Sequence, residues 1–326
     1  MKIAIWVNKD LRTVRSYSPV RGDGSVNYKK AQAVQRMQDH IESNVDKDIT
    51  LNDLSEASNY SRSHSLRIFK ELTGLTPFDY IRQYRLTYGA KRLRNENARI
   101  SDVASDCSFE THEGFTRAFS KEFGITPETY KNDPVPVRYF IPYSVLIRHL
   151  VNNKGENRMK KKDKRTVFVH VEERTERKAI IKRGVKAEHY FEYCNEVGCD
   201  VWGILESIKG NLYEPAGLWL PDKLIKKGTS KYVQGVEVPF NYDGLVPEGF
   251  DIIPLEACKM MFFNGEPYDD KDFEDAIVDV KDAIERFDPS IHGYEWADDD
   301  APRSQLIPTG SRGYIEARSV RKKNRP

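Results

Sequence analysis

The sequence predicts a multidomain protein of the α and α+β classes: an all-α domain built on a doubled helix, turn, helix unit, followed by an α+β domain. Three observations point there. Apolar residues recur at helical spacing from Tyr28 to about Lys131, and after Thr166 the pattern changes to alternating strands and helices. Inside the helical region, a pair of stretches match at a constant offset of 50 residues: Arg67 with Arg117, Phe69 with Phe119, Gly74 with Gly124, Thr76 with Thr126, Pro77 with Pro127 and Tyr80 with Tyr130. Charge divides the same way, since residues 61–94 hold eight Arg and Lys against two acidic residues, whereas residues 167–326 hold 22 basic and 30 acidic ones.

A chain of 326 residues, 39% hydrophobic and 31% charged, buries a real core and is long enough for about two domains. The net charge of +2 conceals its own distribution. A basic segment suits phosphates and an acidic one suits neutral or cationic ligands, with plain solvated faces as the simpler alternative. The four cysteines, Cys107, Cys194, Cys199 and Cys258, lack the paired spacing of a metal site or disulfide framework and read as reduced thiols of a cytoplasmic protein. The longest apolar runs, 139–150 and 260–263, are broken by Pro142 and Arg148 or fall far short of the ~20 residues of a membrane span. No span, membrane partner or signal peptide is expected.

Taken in order, residues 1–29 carry no sustained periodicity and read as an amino-terminal arm. Residues 30–132 form the helical domain. Pro134, Pro136 and Pro142 then break the pattern, and 133–165 reads as a linker whose basic run, Lys160 to Lys162, is either solvated or placed on phosphates. Beyond it lies the second domain, 166–326. There 167–182 alternates like one or two strands, 188–208 is helical, 217–238 and 250–263 are strand-like, 270–287 is an amphipathic helix and 304–320 returns to strands.

In each copy of the repeat a glycine supplies the left-handed residue that ends the second helix, and the proline soon after stops its continuation. Ser61 and Thr111 are the expected N-caps, while Asp53, Leu54 and Tyr60 answer Asp102, Val103 and Phe109 one residue out of step. A helical wheel places Ile68, Phe69 and Leu72 inward and Ser63, Arg67 and Lys70 outward, with Leu66 at the margin. In the second copy Phe115, Ala118, Phe119 and Phe123 face inward, and Glu113, Arg117, Ser120 and Lys121 outward. Such faces suit helices laid in the major groove of double-stranded DNA, where arginine reaches guanine with two hydrogen bonds. One such helix alone reads as an ordinary solvated surface; two with an outward arginine at the same place favour recognition. Between them 78–93 is continuously helical (Phe78, Ile81, Leu86, Leu93) and about 24 Å long at ~1.5 Å per residue. Arg82 and Arg85 on it are candidate phosphate contacts or solvated residues.

On these residues the chain resembles the AraC/XylS family of bacterial transcription regulators. The likeness runs through "ITLNDLSEASNYSRSHSLRIFKELTGLTPFDYIRQYRL" and "ISDVASDCSFETHEGFTRAFSKEFGITPETYK". It implies a seven-helix domain with two helix-turn-helix motifs, and recognition positions at Ser63, Leu66 and Arg67, then at Thr111, His112, Glu113, Thr116 and Arg117. It also implies activation, with RNA polymerase as a further partner. Ser63 and Leu66 depart from members with larger or amide side chains there, which shifts base reading toward thymine methyl contacts. His64 and His112 read as capping or hydrogen-bonding residues, since neither has a second metal ligand at helical spacing.

From about Thr166 the chain is similar to the effector-binding domain of the gyrase-inhibitory-protein (GyrI-like) fold, through "VWGILESI", "AGLWLPD", "YVQGVEVP", "VPEGFDIIPLEACKMMFF" and "APRSQLIPTGSRGYIE". This resemblance implies two βαββ repeats flanking a cleft lined by aromatics and a buried acid, suited to flat or cationic small-molecule effectors. The positions it singles out are Trp202, Trp219, Tyr232 and Glu237, with Trp296 beside Glu295 as another pocket edge. Gln305 stands where the family often has glutamate. Core packing is an equal reading for each tryptophan, an exposed strand position for Glu237, and a solvated turn for Asp298 to Asp300. No cofactor or metal is expected. Two rival functions remain open: a hydrolase in which Glu237 activates water, and a protein-interaction module tethered to DNA. No Ser-His-Asp set, metal spacing or phosphate loop supports the enzyme.

Overall fold

The computed structural model describes residues 24–96, 98–152 and 165–323; of the arm expected over 1–29, residues 1–23 lie outside them, as does the basic run Lys160 to Lys162, while 24–29 are not an arm but the first turns of a helix. The described residues form two compact units, one running to Pro134 and resuming at Pro142 through 152, the other comprising Val135–Ile141 and the residues from 165 onward.

The first unit contains α1 (Gly24–Ser43), α2 (Leu51–Ser58), α3 (Arg62–Thr73), α4 (Pro77–Asn95), α5 (Ile100–Asp106), α6 (His112–Phe123), α7 (Pro127–Asn132) and α8 (Val145–Asn152). Local chemistry sets the boundaries. Thr50 and Asp53 form a reciprocal capping box at the start of α2. Thr76 and Thr126 cap α4 and α7, each followed by proline in the first turn, where its missing N–H costs nothing. Val34, Met37 and Ile41 on α1, Ile68 and Phe69 on α3, and Leu86 and Leu93 on α4 are buried, and α3 packs on both α1 and α4. Phe78 departs from the expected stripe: it is 49% exposed, because the buried face of α4 is set by Tyr80, Ile81, Leu86, Ala90 and Leu93.

The expected linker is more structured than its prolines suggest. Its apolar residues Val145 and Leu146 are buried in α8, which packs on α1. Gln38, itself buried, donates to the carbonyl of Tyr143 at 3.0 Å and accepts from the Val145 N–H at 3.2 Å. The preceding residues 135–141 belong to the second unit. There the Val137 N–H donates to Ser207 Oγ at 2.9 Å, and a side chain at Gly203 would meet the Tyr139 carbonyl at 2.1 Å.

The second unit runs β1 (Val167–Arg174), β2 (Arg177–Arg183), α9 (Tyr190–Val197), α10 (Val201–Ser207), β3 (Ala216–Trp219), β4 (Tyr232–Pro239), β5 (Asp251–Leu255), β6 (Cys258–Gly265), α11 (Phe273–Arg286), β7 (Tyr294–Trp296), β8 (Arg303–Leu306) and β9 (Ile315–Lys322). Its strands make one antiparallel sheet in the order β1-β6-β9-β8-β3-β4-β2-β5, with β7 added on β9. Two runs within it share an order: β2-β4-β3, with α9 and α10 between β2 and β3, and β6-β9-β8, with α11 between β6 and β8. They abut where β3 pairs β8. Gly198, at φ 110°, separates the single helix expected over 188–208 into α9 and α10.

Candidate nucleic-acid interface

The two copies of the repeat correspond residue by residue in their local chemistry. α3 and α6 both run for 12 residues and both end on a left-handed glycine, Gly74 at φ 79° and Gly124 at φ 72°. Each glycine N–H returns to a carbonyl four residues back, that of Lys70 or Ser120, at 2.9 Å. Behind the helices, Phe69 stands edge-on to Tyr80 at 5.3 Å and Phe119 is tilted against Tyr130 at 5.7 Å, all four rings buried. Upstream the offset drops to 49: Asn59 and Ser108 both take positive φ, 59° and 53°, so Glu110 is the residue added before α6. The N-caps differ. Thr111 Oγ1 accepts from the Gly114 N–H at 3.0 Å, whereas the Ser61 side chain makes no capping bond.

The outward faces follow the wheel. Ser63, Arg67 and Lys70 on α3 are exposed and Leu66 is half-buried; on α6, His112, Glu113, Arg117 and Lys121 are exposed, as is the capping Thr111. Thr116 is half-buried with an unpartnered hydroxyl. Arg67 donates to His64 Nδ1 at 3.1 Å, and that ring packs on Tyr60 at 4.5 Å, so His64 positions the arginine. Arg117 makes no hydrogen bond or ion pair among the described residues.

The residues of α4 separate into two kinds. Arg82 is exposed and bonded to Asp79 at 3.0 Å one turn earlier. Arg85 is not available as expected: it donates to the backbone carbonyls of Val45, at 3.0 Å, and Lys47, tying α4 to the turn after α1. Those carbonyls lie about 40 positions away in the chain, beyond the reach of helical periodicity. Cys107 donates to the Arg85 carbonyl at 3.3 Å, and burial pushes its thiol up to about 12.

In the second unit the sequence-derived pocket residues do not converge on one site. Residues directly opposite in a sheet share a face. The pairs Trp219 with Tyr232, Trp219 with Arg303, Gly217 with Gln305 and Gln305 with Glu316 therefore place Trp219, Tyr232, Arg303, Gln305 and Glu316 together. Glu237, five residues after Tyr232 on the same strand, points to the other face. There it accepts from Arg177 Nε at 2.6 Å, a guanidinium only 1% exposed, which makes it half of a buried ion pair rather than a cleft acid. Trp202 lies in α10, 6% exposed, 6.4 Å from the Tyr190 ring. Trp296 is on β7 beneath the Arg318 guanidinium, 4.2 Å away. Trp202 is buried and Trp296 half-buried, and neither lies beside Trp219 in the sheet register.

The acid that sequence reasoning missed is Glu316, fully buried on β9. It accepts from the Tyr314 hydroxyl at 2.5 Å and from Arg303 Nε at 2.9 Å. Its signal was a carboxylate between Ile315 and Ala317, both buried, inside a strand pattern. Trp219 adjoins the pair: its Nε1 donates to the Glu188 carbonyl at 2.8 Å and its ring lies 5.3 Å from the Arg303 guanidinium. Gly217 is required here, since any Cβ would lie 2.2 Å from the Tyr232 hydroxyl. Asp298 is bonded to Arg318, and the described residues hold no His, Cys, Asp and Glu cluster fit for a metal ion. No helix among them is long and apolar enough to cross a membrane.

The helix-turn-helix domain model matches residues 54–133. The chain is 32% identical over 101 residues to the regulatory protein SoxS of Salmonella typhimurium, covering 31% of this chain and 94% of that protein. It is 31% identical over 91 residues to the HTH-type transcriptional activator AarP of Providencia stuartii, covering 28% and 67% respectively. The right origin-binding protein of Escherichia coli K12 is 36% identical over 94 residues, 29% of this chain and 32% of that one, so about a third of its length is spanned.

Proposed function

The chain belongs to the AraC-type helix-turn-helix family of DNA-binding transcriptional regulators, and we propose that α3 and α6 read adjacent major grooves of one duplex under control of a small molecule held by the carboxyl-terminal sheet. The observation that carries this reading is the equivalence of α3 and α6: the same glycine stop, the same buried ring pair and the same outward arginine. Arg67 and Arg117 offer paired N–H groups to guanine O6 and N7, while Ser63 and Leu66 suit a thymine methyl. Thr111, His112, Glu113 and Thr116 lie at the amino end of α6, where base edges are met. Lys70, Arg82 and Lys121 serve phosphates, which set affinity and its salt dependence but not sequence. Activation through RNA polymerase is the proposed direction, following the name that AarP carries.

For the second unit we propose a GyrI-like arrangement, supported by the two similar strand runs that abut at β3 and β8. The effector lies over Trp219, Tyr232 and Gln305. Since Glu316 is already met by Arg303 and Tyr314, that face carries no uncompensated negative charge, and of the flat and cationic ligands expected from sequence a neutral aromatic one suits it better. Binding shifts the population of DNA-competent molecules.

The test is selection of bound duplexes from a random pool. Wild type is expected to enrich a bipartite site, Arg67→Ala to lose preference in one half and Arg117→Ala in the other. Recovery of the same site at wild-type affinity by both variants removes these arginines as readers. Neutral aromatic compounds are expected to quench tryptophan emission in wild type but not in Trp219→Phe; stronger quenching by their cationic analogues overturns the charge argument.

A further inference from the structure

The chain that follows the linker prolines is fastened to the first helix-turn-helix copy. The Tyr143 hydroxyl donates to the Leu72 carbonyl in the last turn of α3 at 3.3 Å. The last four carbonyls of a helix have no partner inside it, so this bond occupies an acceptor that α3 cannot satisfy within itself. Gln38, 1% exposed on α1, supplies a second route. Its Nε2 donates to the Tyr143 carbonyl and to the Tyr80 hydroxyl, each at 3.0 Å, and its Oε1 accepts from the Val145 N–H at 3.2 Å. Tyr80 is the ring that meets Phe69, the buried residue of α3 two places after Arg67. Gln35 Oε1 adds bonds from the Ser144 hydroxyl at 2.8 Å and the Leu146 N–H at 3.4 Å.

An unbroken set of contacts therefore runs from residues 143–146, by way of α1, to the helix that carries Arg67. α1 also holds α3 directly, through Lys30 and Glu71 at 3.4 Å. α6 is supported by other elements: it packs on α4, α5 and α7, and Phe119 rests against Phe115, Phe123 and Tyr130. Both N–H groups of the buried Gln38 amide are used, and such a group fixes geometry because each bond has a direction and losing one partner strands the others. The chain enters this segment from residues 135–141, which belong to the second unit, where Ser207 holds the Val137 N–H.

We propose that residues 143–146 clamp α3, with Gln38 and Tyr143 as positioning residues that set Arg67 for base reading and leave Arg117 independent of them, so that one half of the binding site is open to control through the chain. This rests on the reading of DNA by both copies proposed above. The test uses the full chain and two conservative variants: Tyr143→Phe, which keeps the ring that lies beneath Arg148, and Gln38→Met, which keeps the volume. Amide hydrogen exchange of the free protein is followed in α3 and α6, and anisotropy on single-base variants of the selected duplex gives the discrimination in each half. Exchange in α3 is expected to rise about tenfold in Gln38→Met and about threefold in Tyr143→Phe, with α6 within about twofold of wild type. Discrimination in the Arg67 half is expected to fall by about threefold in both variants, and in the Arg117 half to stay within about twofold. A merely structural role would move both helices and both halves together, and that result overturns the proposal. Unchanged exchange in α3, or faster exchange with full discrimination in the Arg67 half, overturns it too and leaves the DNA-reading proposal standing. Absence of base preference in either half of the wild-type site overturns that reading instead, and exchange in α3 then decides the clamp by itself.

Discussion

The two helix-turn-helix copies share their frame and differ in what fills it. In the first, the turn is held by hydrogen bonds: Ser58 and Ser65 share one at 2.7 Å, and Ser55 donates to the Tyr60 carbonyl at 2.6 Å. In the second, the positions of Ser58 and Ser65 are taken by Cys107 and Phe115, and Phe115 stacks edge-on to Phe109 at 5.3 Å and against Phe119 at 5.5 Å. Polar bonding has been exchanged for aromatic packing at equivalent places. The exchange requires space on α4, which Gly89 supplies: a Cβ there would lie only 3.1 Å from Cys107 Sγ and 3.2 Å from the Phe115 ring. A glycine inside a helix weakens it, by about 1 kcal/mol relative to alanine, and here that loss permits close docking of the second copy. What the motif demands is therefore the stop signal, the ring pair and the outward arginine. The chemistry of the turn is free to vary.

The largest test of this contrast is core truncation. Phe115→Ala is expected to cost about 3–5 kcal/mol in urea unfolding of the helical unit, against about 0.5–1.5 kcal/mol for Ser65→Ala, since the Ser58 hydroxyl keeps its bonds to the Ser55 carbonyl and the Tyr60 N–H. Equal losses would break the distinction between a packed and a hydrogen-bonded turn. Next come the readers. Arg117→Ala is expected to lose about 1–3 kcal/mol of base discrimination, measured by anisotropy on single-base variants of the selected site. Arg67→Ala is expected to lose less, because Arg67 gives up its bond to His64 to reach a base; a larger loss at Arg67 reverses the ranking. The caps sharpen the comparison further. Thr111→Ala is expected to destabilise by about 1 kcal/mol, whereas Ser61→Ala, with no capping bond to lose, stays within a few tenths of wild type.

The smallest effect is a pH dependence confined to the first copy. The Thr50 N–H and hydroxyl hold the Asp53 carboxyl below its ordinary value. A carboxylate depressed in the folded state stabilises above its unfolded pKa, and that contribution is lost as pH falls through the lowered folded value. The stability difference between wild type and Asp53→Asn should therefore be present at neutral pH and shrink on acidification. The corresponding cap of α5 is Arg99, which makes no side-chain bond, and Arg99→Ala should show no such trend.

Much of the helical unit was legible because its signals are short in range. A proline soon after a helix, a glycine at its end and a ring every third or fourth residue act within one or two turns, so spacing alone reports them. The same rules located α11 and the strands other than β7, which lies in a segment they left unassigned. They failed at α8, where prolines outweighed a short apolar run whose burial depends on Gln38, 105 positions away from Tyr143. They failed also for the acid of the sheet. Glu237 and Glu316 both sit in strand patterns, and only register reveals that one faces Arg177 and the other lies beside Gln305.

The amino-acid sequence by itself determined the duplicated motif, its glycine stops and the outward direction of Arg67 and Arg117, since each follows from backbone geometry over a few residues. Tertiary structure alone decided that Arg85 holds a turn rather than a phosphate, that Glu316 is the buried carboxylate, and that Gln38 ties the Tyr143 carbonyl to the Tyr80 ring behind α3. Those outcomes depend on which distant carbonyl, strand or loop arrives beside a side chain, and contacts of that kind leave no periodic trace along the chain.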